Sequence, residues 1–463
     1  MIAAARGRWR SALTERWRSA WTELKGPGVT GVLSRGAASS LVFAGAGQLV
    51  GVGAQMVLAR MLGTVQWGFY SYAWTLVNVL VILPRMGLET AEVRYVAEYR
   101  VKGAWGPLKG LLAFSDRMVW LASAAVALAA AGVVWLLSSR LAPGLAPTLW
   151  VSFLVLPFFA VLGLKAGALQ GFKRVILARL PEVFFRPLGT AIVGGAVFLA
   201  AGRLLAVEAM TATLLAVAVA VAFAGGWLRR LLPAEAQSAE PEIRGKEWLA
   251  TGRPLLLVAG LRHLLGHADI LLVGMMVGTT EAGIYTVASR LSNLVTYGQN
   301  AFNNIGAPLI AELHAEGGRQ RLQRMVTWAS WGSTLFALGA SLVLVVLGRW
   351  LLGWYGGDFT AAFPLLVVLA VGQLVNAAAG PVGYLLNMTG HEEINARILA
   401  WVMGLNILLN VPAIHFYGVV GSAVTTSALV AGKNLVTCWV VRRRLGIYSS
   451  ILAPRKAAVG EAH

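Results

Sequence analysis

The sequence predicts an all-α integral membrane protein of about twelve transmembrane helices, arranged as two pseudo-symmetric six-helix bundles. Three observations predict it. The 463 residues are 57% hydrophobic and only 13% charged, with a mean hydropathy of +0.69, whereas a soluble chain carries about 25% charged residues. Apolar runs of the roughly 20 residues needed to cross a bilayer recur along most of the chain. The basic residues gather in alternate connections between those runs.

Residues 1–35 stand apart. Trp9, Leu13, Trp17, Trp21 and Leu24 recur at helical spacing, with Arg6, Arg8, Arg10, Arg16 and Arg18 on other faces. This reads as a basic amphipathic helix lying on the inner membrane surface. No early apolar run follows the start, so a cleavable signal peptide is not expected. Twelve spans follow, at 36–60, 66–88, 110–139, 147–170, 175–201, 205–230, 249–277, 281–311, 323–350, 361–388, 394–414 and 418–441. One set of connections, together with both termini, holds 28 Lys and Arg, and the opposite set holds only Arg60, Arg140, Arg203 and Arg349. Positive residues stay inside, so both termini are expected in the cytoplasm and the number of spans is even.

The formal charge of +19 and the pI near 10.8 therefore express membrane topology rather than nucleic-acid binding. The single cysteine, Cys438, excludes an internal disulfide and any multi-cysteine metal site.

The most polar connection, "LPAEAQSAEPEIRGK" from Leu232 to Lys246, divides six spans from six. The expected organisation is a bundle at 36–232, a cytoplasmic linker at 233–246, a second bundle at 247–445 and a cytoplasmic tail at 446–463. "LKAGALQGFKRVILARL" after span four and "YLLNMTGHEEINARILA" after span ten repeat one pattern: an apolar helix end, a glycine, a polar turn, then Ala-Arg. Two related bundles with a substrate site between them are a common transporter plan. Span one carries Gly45, Gly47, Gly51 and Gly53, which fit either close static packing or a bendable helix.

Ionisable residues inside a span are costly and normally face a cavity or a partner. On span seven, Arg262, His263, His267 and Asp269 fall within an arc of about 160°, taken at roughly 100° per residue. On span eight, Arg290, Asn293, Tyr297, Asn300 and Asn304 follow in steps of three and four, a polar stripe on one helix face. Span ten adds Gln373, Asn376 and Asn387, and span five has Glu182 one turn before Arg186, spaced to pair with it. The amides suit either cavity lining or hydrogen bonds between helices. Arg85, Arg117, Lys165 and Lys433 lie nearer the cytoplasmic ends, where long side chains snorkel. Arg186, Arg262 and Arg290 lie deeper, and a cavity with deep cations and few acids calls for an anion such as phosphate or pyrophosphate. Arg262 and Arg290, on consecutive spans, are expected to meet near mid-bilayer.

Several stretches resemble polysaccharide flippases of the MOP exporter superfamily, the Wzx type. They are "LARMLGTVQWGFYSYAWTLVNVLVILPRMGLETAEVRYVAEYR" (Leu58–Arg100), "ADILLVGMMVGTTEAGIYTVASRLSNL" (Ala268–Leu294), "GDFTAAFPLLVVLAVGQL" (Gly357–Leu374) and the segment Tyr384–Ser427. The resemblance covers roughly residues 36–445. It implies a V-shaped MOP/MATE-like pair of six-helix bundles working by alternating access. It implies transport of a polyprenyl-pyrophosphate-linked oligosaccharide, an O-antigen, capsule or exopolysaccharide repeat unit, to the outer leaflet of the bacterial inner membrane. It carries over a deep basic cavity, filled here by Arg186, Arg262 and Arg290. Expected partners are the lipid-linked glycan, the phospholipid membrane and the glycan polymerase or ligase of the same pathway, without nucleic acid.

No cofactor or metal is expected beyond a coupling ion, Na+ or H+, for which Asp269, His263, His267 and Glu182 are the candidates. A lipid II flippase usually has two further spans, and a MATE-like cation exporter needs acids in its spans. A membrane glycosyltransferase or polymerase needs a large outer loop or an acidic metal motif. Neither Walker, zinc nor nucleophile-elbow motifs occur in the sequence, so no enzyme activity is expected.

Overall fold

The computed structural model describes residues 29–451, and within them every side chain outside 29–42, 44, 253–255, 257–259, 262, 301, 304, 305 and 308. The expected amphipathic helix before residue 29 and the tail beyond 451 lie outside the described residues. The chain divides into two compact units, Met1–Gly47 and Gln48–His463. The first contains the beginning of a helix at 29–47.

The described residues are helical throughout, with no strand among them. The 52-residue helix Val29–Leu80 is two helices, α1 (48–62) and α2 (64–80), meeting at Gly63, where φ is 71°. The chain must reverse there. Ala54 and Leu58 line the same cavity as Trp67 and Trp74, yet at 1.5 Å per residue a straight helix would hold residues 54 and 74 about 30 Å apart. Gly63 supplies the left-handed backbone that a side chain would strain. The 54-residue helix Glu392–Leu445 is built the same way, as α12 (392–417) and α13 (419–445), turning at Gly418 with φ 60°.

Between these hairpins run α3 (Leu88–Lys102), α4 (Trp105–Leu137), α5 (Leu145–Gly171), α6 (175–201), α7 (Ala206–Leu231), α8 (Gly245–Met276), α9 (279–315), α10 (Arg319–Tyr355) and α11 (357–388). Among the described residues eight stretches are long and apolar enough to cross a membrane, and two of the eight are the paired hairpins, Gly45–Arg85 and Glu392–Leu445. The remaining predicted spans are α8, whose apolar part shrinks to His263–Met276, and the polar α9. Ten of the predicted spans fall within these eight stretches, the tenth predicted span being interrupted at residues 379–381, and the chain is a multi-pass, all-α membrane protein. One helix was not expected. α3 resumes after a left-handed break at Met86 and Gly87, φ 49° and 73°, and carries the stretch read as a plain connection.

Helices α1–α7 and α8–α13 form two halves, which meet along a seam of α2 and α3 against α8 and the start of α9. Glycines permit it. A methyl group on Gly252 would come within 2.5 Å of the Met86 carbonyl oxygen, and one on Gly283 within 2.7 Å of Gly68 Cα. Gly274 abuts the Tyr72 ring. Small residues let helix backbones approach in this way. Hydrogen bonds pin both ends of the seam: Trp67 Nε1 donates to Gly283 O (3.2 Å), and Trp248 Nε1 to Tyr99 Oη (3.1 Å). The polar connection between the halves is also held, since Lys109 Nζ donates to Gln237 O (2.6 Å) and Ala239 O (2.9 Å).

Candidate functional site

Arg186 and Arg290 share one cavity, lined otherwise by Ala54, Gln55, Leu58, Trp67, Tyr70, Ser71, Trp74, Pro187 and Thr190. Arg290 reaches it from α9, while the other residues come from α1, α2 and α6. The Arg186 guanidinium lies over the Trp74 ring, 4.6 Å from its centroid, and Arg186 Nε is buried without a hydrogen-bond partner. Among the described residues neither arginine forms an ion pair, and no acid lines the cavity. At about 20 Å³ the space admits roughly one water.

The local backbone places Arg186. Residues Pro181–Phe185 form one wide π-helical turn, closed by Arg186 N–H donating to Pro181 O. The widened turn breaks the four-residue register. As a result Glu182 is exposed and forms no ion pair with Arg186, contrary to the expectation from their spacing.

The polar stripe of α9 is also divided. Asn293–Thr296 form a 3-10 turn between the helices Thr279–Ser292 and Tyr297–Ala315. Four residues at about 120° rather than 100° rotate the second part by about 80°. Arg290 thus faces the first half. Asn300 turns to a cleft of about 330 Å³ in the second half, shared with Asn303, Asn376, Asn387, Asn395 and Lys433. A relay of amides runs from the cleft to Asn293: Gln373 Nε2 donates to Asn293 Oδ1 (3.2 Å), Asn376 Nδ2 to Gln299 Oε1 (3.2 Å), and Asn434 Nδ2 to Asn376 Oδ1 (2.8 Å). Tyr297 is half-buried at the start of the second helix. The side chains of Arg262 and Asn304 lie outside the described residues. The expected meeting of Arg262 with Arg290 therefore falls outside what the structure describes, and the arginine that shares a cavity with Arg290 among the described residues is Arg186.

Asp269 does not face the arginine cavity. It is buried in the second half, at the meeting of four helices. Its Oδ1 accepts from Asn406 Nδ2 (3.0 Å) and Asn410 Nδ2 (3.3 Å), and its Oδ2 from Thr426 Oγ1 (2.8 Å) and Tyr285 Oη (3.2 Å). Asn406 Oδ1, Asn410 Oδ1 and Ser422 Oγ are buried without hydrogen-bond partners. Asp269 is thus a buried carboxylate that accepts from two amide nitrogens and two hydroxyls. No group of three or more His, Cys, Asp or Glu gathers among the described residues. His263 and His267 lie apart from Asp269 in the exposed stretch of α8. Their rings are 6.2 Å apart, and His267 Nδ1 donates to His263 O at 2.9 Å.

Two residues expected to snorkel are paired instead. Arg85 donates to Glu89 Oε2 (2.8 Å) and Phe159 O (2.7 Å), and Lys165 bonds Asp116. Lys433 is half-buried in the amide cleft, whereas Arg117 is exposed as expected. Glu92, read as part of a connection, is 1% exposed with both carboxyl oxygens lacking hydrogen-bond partners. Gln299 and Asn406 were not singled out either. Their one signal is polarity at positions where lipid-facing helices have none.

The family model described as polysaccharide biosynthesis protein matches residues 33–314, a stretch that contains Arg186, Asp269 and Arg290. The chain belongs to that family. Its relative AglR of Haloferax volcanii, a probable flippase, is 29% identical over 161 residues, which is 34% of each protein, so the match spans about a third of that relative. Two solved structures share the fold. One is an inward-facing multidrug resistance MATE transporter of the MOP superfamily, with a TM-score of 0.70, 13% identity and coverage of 90% of this chain and 96% of the other. The other is the lipid II flippase MurJ in an inward closed conformation, with a TM-score of 0.67, 12% identity and 87% of each chain covered. This member of the polysaccharide biosynthesis family therefore has the helical MOP fold that its sequence predicts.

Proposed function

We propose that the protein is a flippase, not an enzyme, which moves a polyprenyl-pyrophosphate-linked oligosaccharide from the cytoplasmic to the outer leaflet by alternating access. One observation carries the reading: Arg186 and Arg290 enter a single cavity from opposite halves with no acid beside them. Two adjacent cations in a medium of low polarity repel, and a pyrophosphate cancels that repulsion while accepting a two-pronged contact from each guanidinium. A cationic drug would meet the same repulsion, which speaks against export of the MATE kind. The amide cleft of Asn300, Asn376 and Asn395 offers donors and acceptors suited to sugar hydroxyls. The flippase name of the relative AglR agrees with this reading.

The coupling ion, Na+ or H+, is assigned to Asp269, whose carboxylate accepts from the amide nitrogens of Asn406 and Asn410 and from the hydroxyl of Thr426. The basic connections are assigned to the cytoplasmic side of the bacterial inner membrane.

Complementation of a flippase-null strain, with protein level checked by blot, tests the arginines. Arg186→Gln and Arg290→Gln should each abolish export of the glycan, and the Lys variants should keep part of it, since an ammonium retains charge but not the fork. Full complementation by both Gln variants at normal abundance would remove the pyrophosphate clamp.

A further inference from the structure

An open groove lies along the exposed face of the last hairpin, and none of its lining residues belongs to the arginine cavity or the amide cleft. It measures about 630 Å³, and Arg397, Ile398 and Trp401 of α12 face Trp439, Arg443 and Arg444 of α13 across it. The two helices present the same device in opposite chain directions. Arg397 stands four residues before Trp401, and Arg443 four residues after Trp439. Because α12 starts at residue 392 and α13 ends at 445, both arginines lie toward the same end of the hairpin. Each indole sits about 6 Å deeper, one turn further from that end. The Arg443 guanidinium lies 5.3 Å from the centre of the Trp439 ring.

The groove opens away from the protein interior. Trp401 and Trp439 are 75% and 58% exposed, and the exposed Leu405, Leu408 and Leu435 continue the surface below them. The opposite faces of the same helices carry the buried Asn406, Asn410 and Asn434. None of the three arginines forms an ion pair among the described residues, and no acid lines the groove.

We propose that this groove binds an anionic phospholipid of the surrounding bilayer, with its phosphate held among Arg397, Arg443 and Arg444. The glycerol region rests on the two indoles and the acyl chains lie along Leu405 and Leu435. Indoles settle at the boundary of headgroup and hydrocarbon, and clustered basic residues select anionic headgroups. A zwitterionic lipid brings its own cation into a site that already holds three. The position gives the lipid a task. It closes the open end of a hairpin whose middle supplies Asn406, Asn410 and Thr426 to Asp269, so it holds those three donors in register. The proposal is independent of what the protein transports.

The test uses the full chain, reconstituted in phosphatidylcholine vesicles with and without phosphatidylglycerol. Native mass spectrometry reads the retained lipid, and thermal unfolding reads stability. The parent should retain phosphatidylglycerol and melt higher in its presence. Removing charge should weaken retention about fivefold per arginine, roughly a hundredfold for Arg397→Gln, Arg443→Gln and Arg444→Gln combined. Ile398→Trp, which fills the groove and keeps every charge, should weaken it as well. Arg229→Gln with Arg230→Gln, on α7, should change nothing.

Undiminished retention in both the triple variant and Ile398→Trp would overturn the proposal, as would equal retention of phosphatidylcholine. Preferential retention of a polyprenyl diphosphate that depends on the same arginines would assign the groove to the transported lipid and overturn the phospholipid reading.

Discussion

Asp269 illustrates what a single residue discloses and what it conceals. Its place inside an apolar span marks it as functional in the sequence. Its surroundings are not legible there, because Asn406, Asn410 and Thr426 lie 137 to 157 positions away. The histidines grouped with it by helical angle turn out to be exposed or half-exposed, since an arc of 160° spans both the packed and the open side of α8. The bonding defines a prediction. Asp269→Ala leaves four donors without an acceptor, each costing about 1–3 kcal/mol when buried. It should lower the thermal midpoint well below that of Asp269→Asn, which keeps the volume and one carbonyl oxygen. If Ala and Asn unfold at the same temperature in detergent, the four bonds contribute nothing to holding these helices together.

At the scale of elements, hydropathy located the spans because lipid demands it, and boundaries such as 249–277 against Gly245–Met276 differ by a few residues. Local geometry was not legible. The wide turn at Pro181–Phe185 and the 3-10 turn at Asn293–Thr296 each rotate a helix face, and a fixed angle per residue carries polar residues to the wrong side of such a turn. That is why Glu182 and Arg186 part, and why the stripe from Arg290 to Asn304 serves two regions. The seam between the halves depends on backbone approach, which makes its glycines unequal. Gly252→Val and Gly283→Val should each lose about 1–3 kcal/mol by overpacking, whereas Gly266→Val, in open space on the same α8, should be tolerated. Denaturation of the three variants side by side checks this, and equal loss at Gly266 would mean that helix propensity rather than the seam is being measured.

For the whole molecule, the polar connection at 232–246 was legible as lying outside the spans, because a stretch rich in charge and proline cannot lie in hydrocarbon, and Lys109 holds it through Gln237 and Ala239. The cavity between the halves was only partly readable. Its cations are recognisable singly, but that Arg186 and Arg290 share one cavity depends on tertiary packing. The sidedness of the connections sets which way the transport cycle runs. Single cysteines placed at Gly356 and Gln237 in a Cys438→Ser background should label from opposite faces of the membrane, Gln237 from the cytoplasm. Labelling of both from one side would contradict an even number of spans with inward-facing termini.

The four bonds on Asp269 also impose an order on biogenesis. When α8 leaves the ribosome, only Tyr285, 16 positions on, soon follows. The donors on α12 and α13 are 137 to 157 residues from being made, which at about 5–20 residues per second is on the order of ten to thirty seconds. Throughout that interval a carboxyl group lies in or beside the bilayer with most of its neighbours unsynthesised. The second half therefore cannot be completed helix by helix as it emerges. It waits for the last hairpin, and a chain truncated before Gly418 lacks the Thr426 hydroxyl and keeps an aspartate open to the machinery that inspects unfinished membrane proteins.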